Sequence, residues 1–222
     1  MNATGHLPKS SQVFHERAKE YDSWFEDSLL FDIEIAAVRT LAIPVEAPAL
    51  EIGVGPGRFA EALGSEFGID PAPAALQIAS SRDIAVCQAI GEDLPFCNNS
   101  VARVSIFFTL CFVKNPQKTI RESYRVLQNG AYLILGFVPA TSKWGENLQQ
   151  KKDNGHPFYE HARFFTVQEV ESLLKEQGFT PGSSVSTLYQ TPGEVNRLES
   201  PRPGTDDTAG FVVFSAVKNQ SS

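Results

Sequence analysis

The amino-acid sequence predicts an α/β fold: an open, doubly wound, mostly parallel sheet with helices on both faces. Three observations carry this. Short apolar runs alternate with amphipathic stretches from residue 49 onward. The early runs are nearly continuously apolar rather than alternating, which fits strands covered on both faces. Between the first run and the first helix after it stands "GVGPG" (53–57), three glycines in five positions, where sheets of this kind keep their ligands.

Residues 10–43 predict about two helices ahead of the first strand, placed as a cover. "ALEIGV" (49–54) reads as a buried strand and "GRFAEAL" (57–63) as the start of a short helix. "FGID" (67–70) is a second strand, "APAALQIASS" (72–81) a helix and "DIAVCQA" (83–89) a third strand. "VARVSIFFTL" (101–110) is the fourth. In "PQKTIRESYRVLQN" (116–129) Ile120, Tyr124 and Leu127 follow the helical period. Asn129-Gly130 is expected as its left-handed C-cap, and "AYLILGFV" (131–138) is the fifth strand. "TVQEVESLLKEQG" (166–178) opens with Thr166 and Glu169, the spacing of a capping box. Two strands near 182–190 and 210–218 flank a Pro- and Gly-rich loop, 191–210.

With 42% hydrophobic and 20% charged residues, the 222-residue chain can bury a core. A formal net charge of -7 argues against general affinity for nucleic acid or anionic membrane. Cys87, Cys97 and Cys111 form no CxxC pair; reduced thiols in a cytoplasmic protein are the simplest reading, with no metal site. The N-terminus lacks the apolar core of a signal peptide, and the longest apolar runs fall far short of the ~18 residues of a membrane helix.

Gly53, Gly55 and Gly57 would let the backbone turn sharply and approach a ligand, and the helix N-terminus beyond them would face an anionic group. A dinucleotide fingerprint needs glycine or alanine at position 58, where Arg58 stands, and no phosphate-cradling Gly-Lys-Ser/Thr loop follows. Asp70 ends the second strand 19 residues after Glu51, near the ~20-residue separation of an acid that accepts hydrogen bonds from ribose hydroxyls. The competing reading is a plain strand-to-helix turn with a solvated aspartate.

"LEIGVGPGRFAEAL", "GIDPAPAALQIA", "GEDLPFCNNSV" and "KTIRESYRVLQNGAYLILGF" resemble, in order and spacing, the class I S-adenosylmethionine-dependent methyltransferases. Within these they resemble the type 11 group, which includes quinone-biosynthesis enzymes. "YDSWFEDSLLFDIEIAAVR" and "TLCFVKNP…HPFYEHARFFTVQEV" are similar to a subgroup of uncharacterised bacterial and archaeal members. The resemblance implies a Rossmann-like, seven-stranded sheet whose last strand inserts antiparallel. It implies one domain over 1–222: a helical cover or lid (1–45), a cofactor-binding half (46–138), an insertion over the acceptor pocket (139–165), and C-terminal helix and strands (166–222).

By the same resemblance the cofactor is S-adenosyl-L-methionine, leaving as S-adenosyl-L-homocysteine. Glu51, Gly53, Gly55 and Gly57 would surround its methionine part, Asp70 would take the ribose and Pro71 would lie beside the adenine. Gly91, Glu92, Asp93 and Leu94 would flank the adenine, Thr109 would sit near the sulfonium, and Tyr21 and Trp24 would come from the cover. Several positions depart from the family pattern: Ile90 replaces a frequent acid, Val101-Ala102 a common Phe-Asp, Lys114-Asn115 an acidic pair, and Cys111-Phe112 the paired histidines of the quinone enzymes.

The implied substrate pocket has Cys111, His156, Tyr159 and Arg163 in its wall, with His156, Tyr159 and His161 as catalytic candidates. The plainer readings are a surface loop anchored by Phe158, Phe164 and Phe165, an inert buried thiol, and an amphipathic cover helix carrying Trp24 and Phe25. The expected activity is in-line methyl transfer to a small-molecule acceptor, without nucleic-acid or membrane partners, by a monomer or homodimer. A non-catalytic S-adenosylmethionine-binding protein and a nicotinamide-dependent oxidoreductase are the alternatives.

Overall fold

The structure, a computed structural model, describes residues 7–44 and 46–219. Helices α1 (Lys9–Glu16), α2 (Ala18–Ser23) and α3 (Leu29–Thr40) precede β1 (Ala49–Ile52). Then follow α4 (Arg58–Leu63), β2 (Phe67–Asp70), α5 (Pro73–Ser80), β3 (Ala85–Gln88), β4 (Val101–Phe107), α6 (Pro116–Val126) and β5 (Leu127–Phe137). The chain continues through α7 (Lys143–Asp153), α8 (Val167–Glu176), β6 (Phe179–Thr187), β7 (Arg202–Pro203) and β8 (Phe211–Lys218).

The strands form one sheet in the order β3-β2-β1-β4-β5-β8-β6-β7. β1 to β5 run parallel, and β8 inserts antiparallel between β5 and β6. β1 and β4 are buried along their whole length, which is why both read as mostly apolar runs, interrupted by Glu51, Arg103 and Ser105. On one face Leu50, Ile52, Val104 and Leu133 pack beneath Ile120 of α6 and Val170 and Leu174 of α8. On the other, Phe107, Ile134 and Phe211 pack against Ile33 and Val38 of α3 and Phe59 of α4. Leaving β1, the chain goes first to β2 on one side and later to β4 on the other, so the strand order reverses at β1. A crevice opens there, at the carboxyl ends of the strands.

The structure corrects four sequence expectations. The cover holds three helices, not two, because Arg17 breaks the first helical stretch with non-helical backbone (φ -122°, ψ 32°). The sheet has eight strands rather than seven. The eighth is two-residue β7, an edge pairing of Ser186 with Arg202 within the stretch read as a loop. The 139–165 insertion contains α7, started by the Ser142 hydroxyl accepting from Gly145 N–H. Finally, α6 does not run on to Asn129-Gly130. It stops at Val126, Leu127 is already extended, and Gly130 takes its positive φ (82°) within the irregular start of β5.

The C-terminal end of α6 is capped from across the sheet instead. Lys218 of β8, only 5% exposed, donates from Nζ to Tyr124 O, Leu127 O and Asn99 Oδ1, each at 2.7 Å. A cation on the last carbonyls of a helix answers both their unmet hydrogen bonds and the helix dipole. At the N-terminus of α8, the capping box of Thr166 and Glu169 forms as its spacing predicts.

Replacing Lys218 by methionine keeps the apolar stem but strands the buried Leu127 carbonyl and the half-buried Tyr124 carbonyl. The expected loss is about 2–4 kcal/mol, read as a lower urea midpoint at unchanged slope. An unchanged midpoint would remove Lys218 from this role.

Candidate active site

The site grows from the turn after β1. Gly53 and Val54 N–H both donate to Ile69 O (2.8 and 2.9 Å), and Gly57 N–H closes onto Val54 O (2.8 Å). Gly53, Gly55 and Gly57 all have positive φ (71°, 51° and 88°), a region other residues enter only at a cost. Their surroundings differ. A Cβ on Gly53 would collide with the Thr109 side chain, and one on Gly57 with Ile84 and Ala79. At Gly55 the nearest atom would be Tyr21 Cε1, 3.7 Å away. Gly57 therefore serves the packing of α4 on α5, whereas Gly55 is the glycine that leaves open space.

Asp70 ties this turn to the end of β2. Its Oδ2 accepts from Gly55 N–H (3.0 Å) and its Oδ1 from Ala72 N–H (2.8 Å). Burial pushes its pKa up to about 6 despite these two bonds, and each oxygen keeps a further lone pair. Beside it runs the 90–94 turn, in which Asp93 N–H bonds to Ile90 O (3.1 Å). Glu92 is held by Asn115 N–H on Oε1 (2.9 Å).

These groups line a cavity of about 560 Å³ with Gly53, Gly55, Asp70, Pro71, Gly91, Glu92 and Thr109 in its wall. Ile90, 40% exposed, adds an apolar surface; Lys114 also lines the wall, as do Ser10, Phe14 and Lys118, which were not singled out in the sequence. Glu51, Gly57, Asp93, Leu94 and Trp24 are not among the lining residues. Leu94 belongs to the core. Glu51 is 2% exposed, with Oε2 unpartnered; burial raises its pKa well above the ordinary range, against the pull of Arg103.

A second cavity, about 200 Å³, adjoins the first and shares Phe14, Tyr21, Phe108 and Phe112 with it. Tyr21 stands at the centre of an aromatic cluster with Phe14, Trp24, Phe25 and Phe158. Cys111, Tyr159 and Trp24 line this second cavity. His156, His161 and Arg163 do not: His161 is exposed, and Arg163 is exposed with its guanidinium stacked over Phe165. His156 packs against Phe158 and Tyr159 instead; burial, then Lys151 and Arg17, lowers its pKa. Burial pushes Cys111 and Tyr159 up to about 12 and raises Tyr21 further, so all three stay protonated at neutral pH.

The residue missed in this cavity is Glu34 of α3. The signal was present: in "LLFDIEIAAVRTL" it occupies the apolar stripe of Leu30, Val38 and Leu41 at helical spacing, while Asp32 and Arg39 take the solvent side.

Arg58 has a further job. At the start of α4, it donates to both Asp22 carboxylate oxygens (2.6 and 3.1 Å), which Arg82 also grips (3.0 and 3.1 Å). The cover is thereby fastened to the first residue of α4, immediately after the glycine turn.

A family model described as a methyltransferase domain, of the type 11 group, matches residues 50–135. An uncharacterised protein of Mycobacterium tuberculosis is 39% identical over 215 residues, 95% of this chain and 75% of that one. An uncharacterised protein of Methanocaldococcus jannaschii is 37% identical, over 93% and 98% of the two chains. A solved structure from Thermotoga maritima, described as a SAM-dependent methyltransferase and possible histamine N-methyltransferase, has a TM-score of 0.87. It is 33% identical, over 95% of this chain and all of that one. The chain belongs to the class I S-adenosylmethionine-dependent methyltransferases, and S-adenosylmethionine is its cofactor. Among the described residues no cluster of His, Cys, Asp and Glu could hold a metal ion, and no helix is long and apolar enough to cross a membrane.

Gly53→Ala is expected to destabilise the fold by about 2–4 kcal/mol, through the left-handed backbone and the collision with Thr109. Gly55→Ala should lose only about 1 kcal/mol. Thermal or urea unfolding of the two variants checks this order.

Proposed function

We propose that the larger cavity holds S-adenosylmethionine, and that the smaller one holds a small-molecule acceptor which receives the methyl group in line. The observation that carries this reading is the shared wall: two cavities adjoin at Phe14, Tyr21, Phe108 and Phe112. The cofactor, when bound, supplies an electrophilic methyl group together with its own leaving group, so no protein nucleophile is required. The chain's residues then have to align the acceptor and exclude water, and the aromatic wall of the second cavity suits the second task. An acceptor cavity also favours an enzyme over a protein that only binds the cofactor.

The residues present fit the cofactor. Asp70 has lone pairs left for two ribose hydroxyls, Gly55 leaves room where a side chain would intrude, and Ile90 offers an apolar surface for the adenine in place of an acid. Thr109 lies beside Gly53, its hydroxyl reaching Gly53 O (3.3 Å) and Phe107 O (2.9 Å). Tyr21 and Phe14 close the cavity from the cover. Cys111 and Tyr159, being protonated, serve as wall rather than as bases.

Titration calorimetry with S-adenosylhomocysteine tests the assignment. Asp70→Ala should weaken binding at least about tenfold, through loss of charge-assisted hydrogen bonds, while far-ultraviolet circular dichroism stays native. In the unsubstituted protein, affinity should be flat above pH 7. It should fall as pH drops through about 6, where Asp70 takes up a proton and one oxygen ceases to accept. Equal affinity at pH 5 and 8 would count against Asp70 as the ribose ligand.

A further inference from the structure

Glu34 is the one acidic side chain lining the second cavity, and no lysine, arginine or histidine lines it. It is 9% exposed. Burial alone pushes its pKa up, to about 8, with no neighbouring charge or hydrogen bond to offset it. The groups that face it are Tyr21 from α2 and Tyr159 from the segment after α7, and Cys111 lies in the same wall. All three are neutral at physiological pH, so among the described residues nothing compensates a charge on Glu34.

A buried carboxylate without a counter-ion is expensive, and natural cores rarely keep one without use. The rest of the wall is aromatic: Phe25, Phe31, Phe108, Trp144 and Tyr159 present rings to the same space. The faces of aromatic rings attract a cation. A carboxylate within an aromatic wall is therefore complementary to a positive nitrogen. An acidic or phosphorylated molecule would find no cation there to balance its charge, and would face Glu34.

We propose that the second cavity takes a small amine as methyl acceptor, and that Glu34 is the group that binds its ammonium and receives the proton it must lose. This rests on the reading of the second cavity as the acceptor site. An ammonium has no lone pair and cannot attack a methyl group. Transfer of one proton from nitrogen to a Glu34 carboxyl oxygen breaks an N–H bond, forms an O–H bond and leaves both partners neutral. Low polarity around the pair favours that neutral form. The proton leaves Glu34 for solvent when the product departs. A volume of about 200 Å³ lies below the roughly 300 Å³ at which drug-sized pockets begin, so the amine is small.

The test is calorimetric titration of the protein, alone and saturated with S-adenosylhomocysteine, at pH 8. The probes are 2-phenylethylamine, cyclohexylamine and n-hexylamine, with 2-phenylethanol and 3-phenylpropanoate as the neutral and anionic counterparts. At least one amine should bind ten times or more tighter than 2-phenylethanol, and 3-phenylpropanoate should bind worst. Glu34→Gln should bring that amine down to the alcohol's affinity while its affinity for S-adenosylhomocysteine stays native, which also shows that the variant folds. Amine affinity should rise from pH 6 to 8 as Glu34 ionises and be flat in Glu34→Gln. Equal binding of amine and alcohol, failure of all three amines, or full amine affinity in Glu34→Gln would overturn the proposal. If S-adenosylhomocysteine does not bind, the cofactor reading fails by itself, and the amine titration of the ligand-free protein still reports on Glu34.

Discussion

The constraint on which the rest of this structure depends is the conformation of residues 53–57. At the end of the central strand the chain turns back with three left-handed glycines, and Ile69 O receives two of its N–H groups. Asp70 takes a third, from Gly55. The turn sets where α4 begins, hence where Arg58 points, and hence where the cover lies. It also brings Gly55 and Asp70 together, so the ends of β1 and β2 form one polar edge to a single cavity. Glycine is required by collision at 53 and 57, whereas at 55 it is favoured by the positive φ and keeps the space beside Tyr21 open.

From that turn an ion-pair network reaches the cover. Asp22 is shared between two guanidinium groups, and burial's upward effect on its pKa is overcome by its hydrogen bonds to Arg58 and Arg82. Exposed ion pairs contribute little, but here the side chains are mostly buried and the bonds are multiple. The network holds α2 so that Tyr21 stands over Gly55 and between the two cavities. One residue thus explains an apparent defect: Arg58, which breaks a dinucleotide fingerprint, is an anchor for the lid-like cover.

The two cavities differ in character. The larger mixes carboxylates, lysines and backbone groups, as a polar cofactor with an adenine at one end requires. The smaller is aromatic, with one carboxylate. Such division suits chemistry in which the donor carries its own reactivity and the protein supplies position and dryness. It also explains why no triad or metal cluster was legible in the chain: none is needed for the reaction that the family performs.

The sequence by itself determined the alternation of strands and helices, the burial of β1 and β4 and the capping box at Thr166, and its resemblance to a known family carried the cofactor class. The first three are local or periodic properties: an apolar run and a cap spacing each act within a few residues. Asp70 was legible because its place at a strand end follows from the same periodicity. What only the tertiary structure decided depends on residues far apart in the chain. Lys218 caps a helix that ends 92 positions earlier, a role the nearby Asn129-Gly130 had seemed suited to fill. The histidines of the 139–165 insertion were chemically suggestive but do not line a cavity, because α7 folds there and Phe158 takes the buried position. Glu34 lies on the apolar stripe of its helix, but only the packing of the aromatic wall shows that it is buried. Burial is a property of the whole fold, and for Glu34 it is burial that raises the pKa.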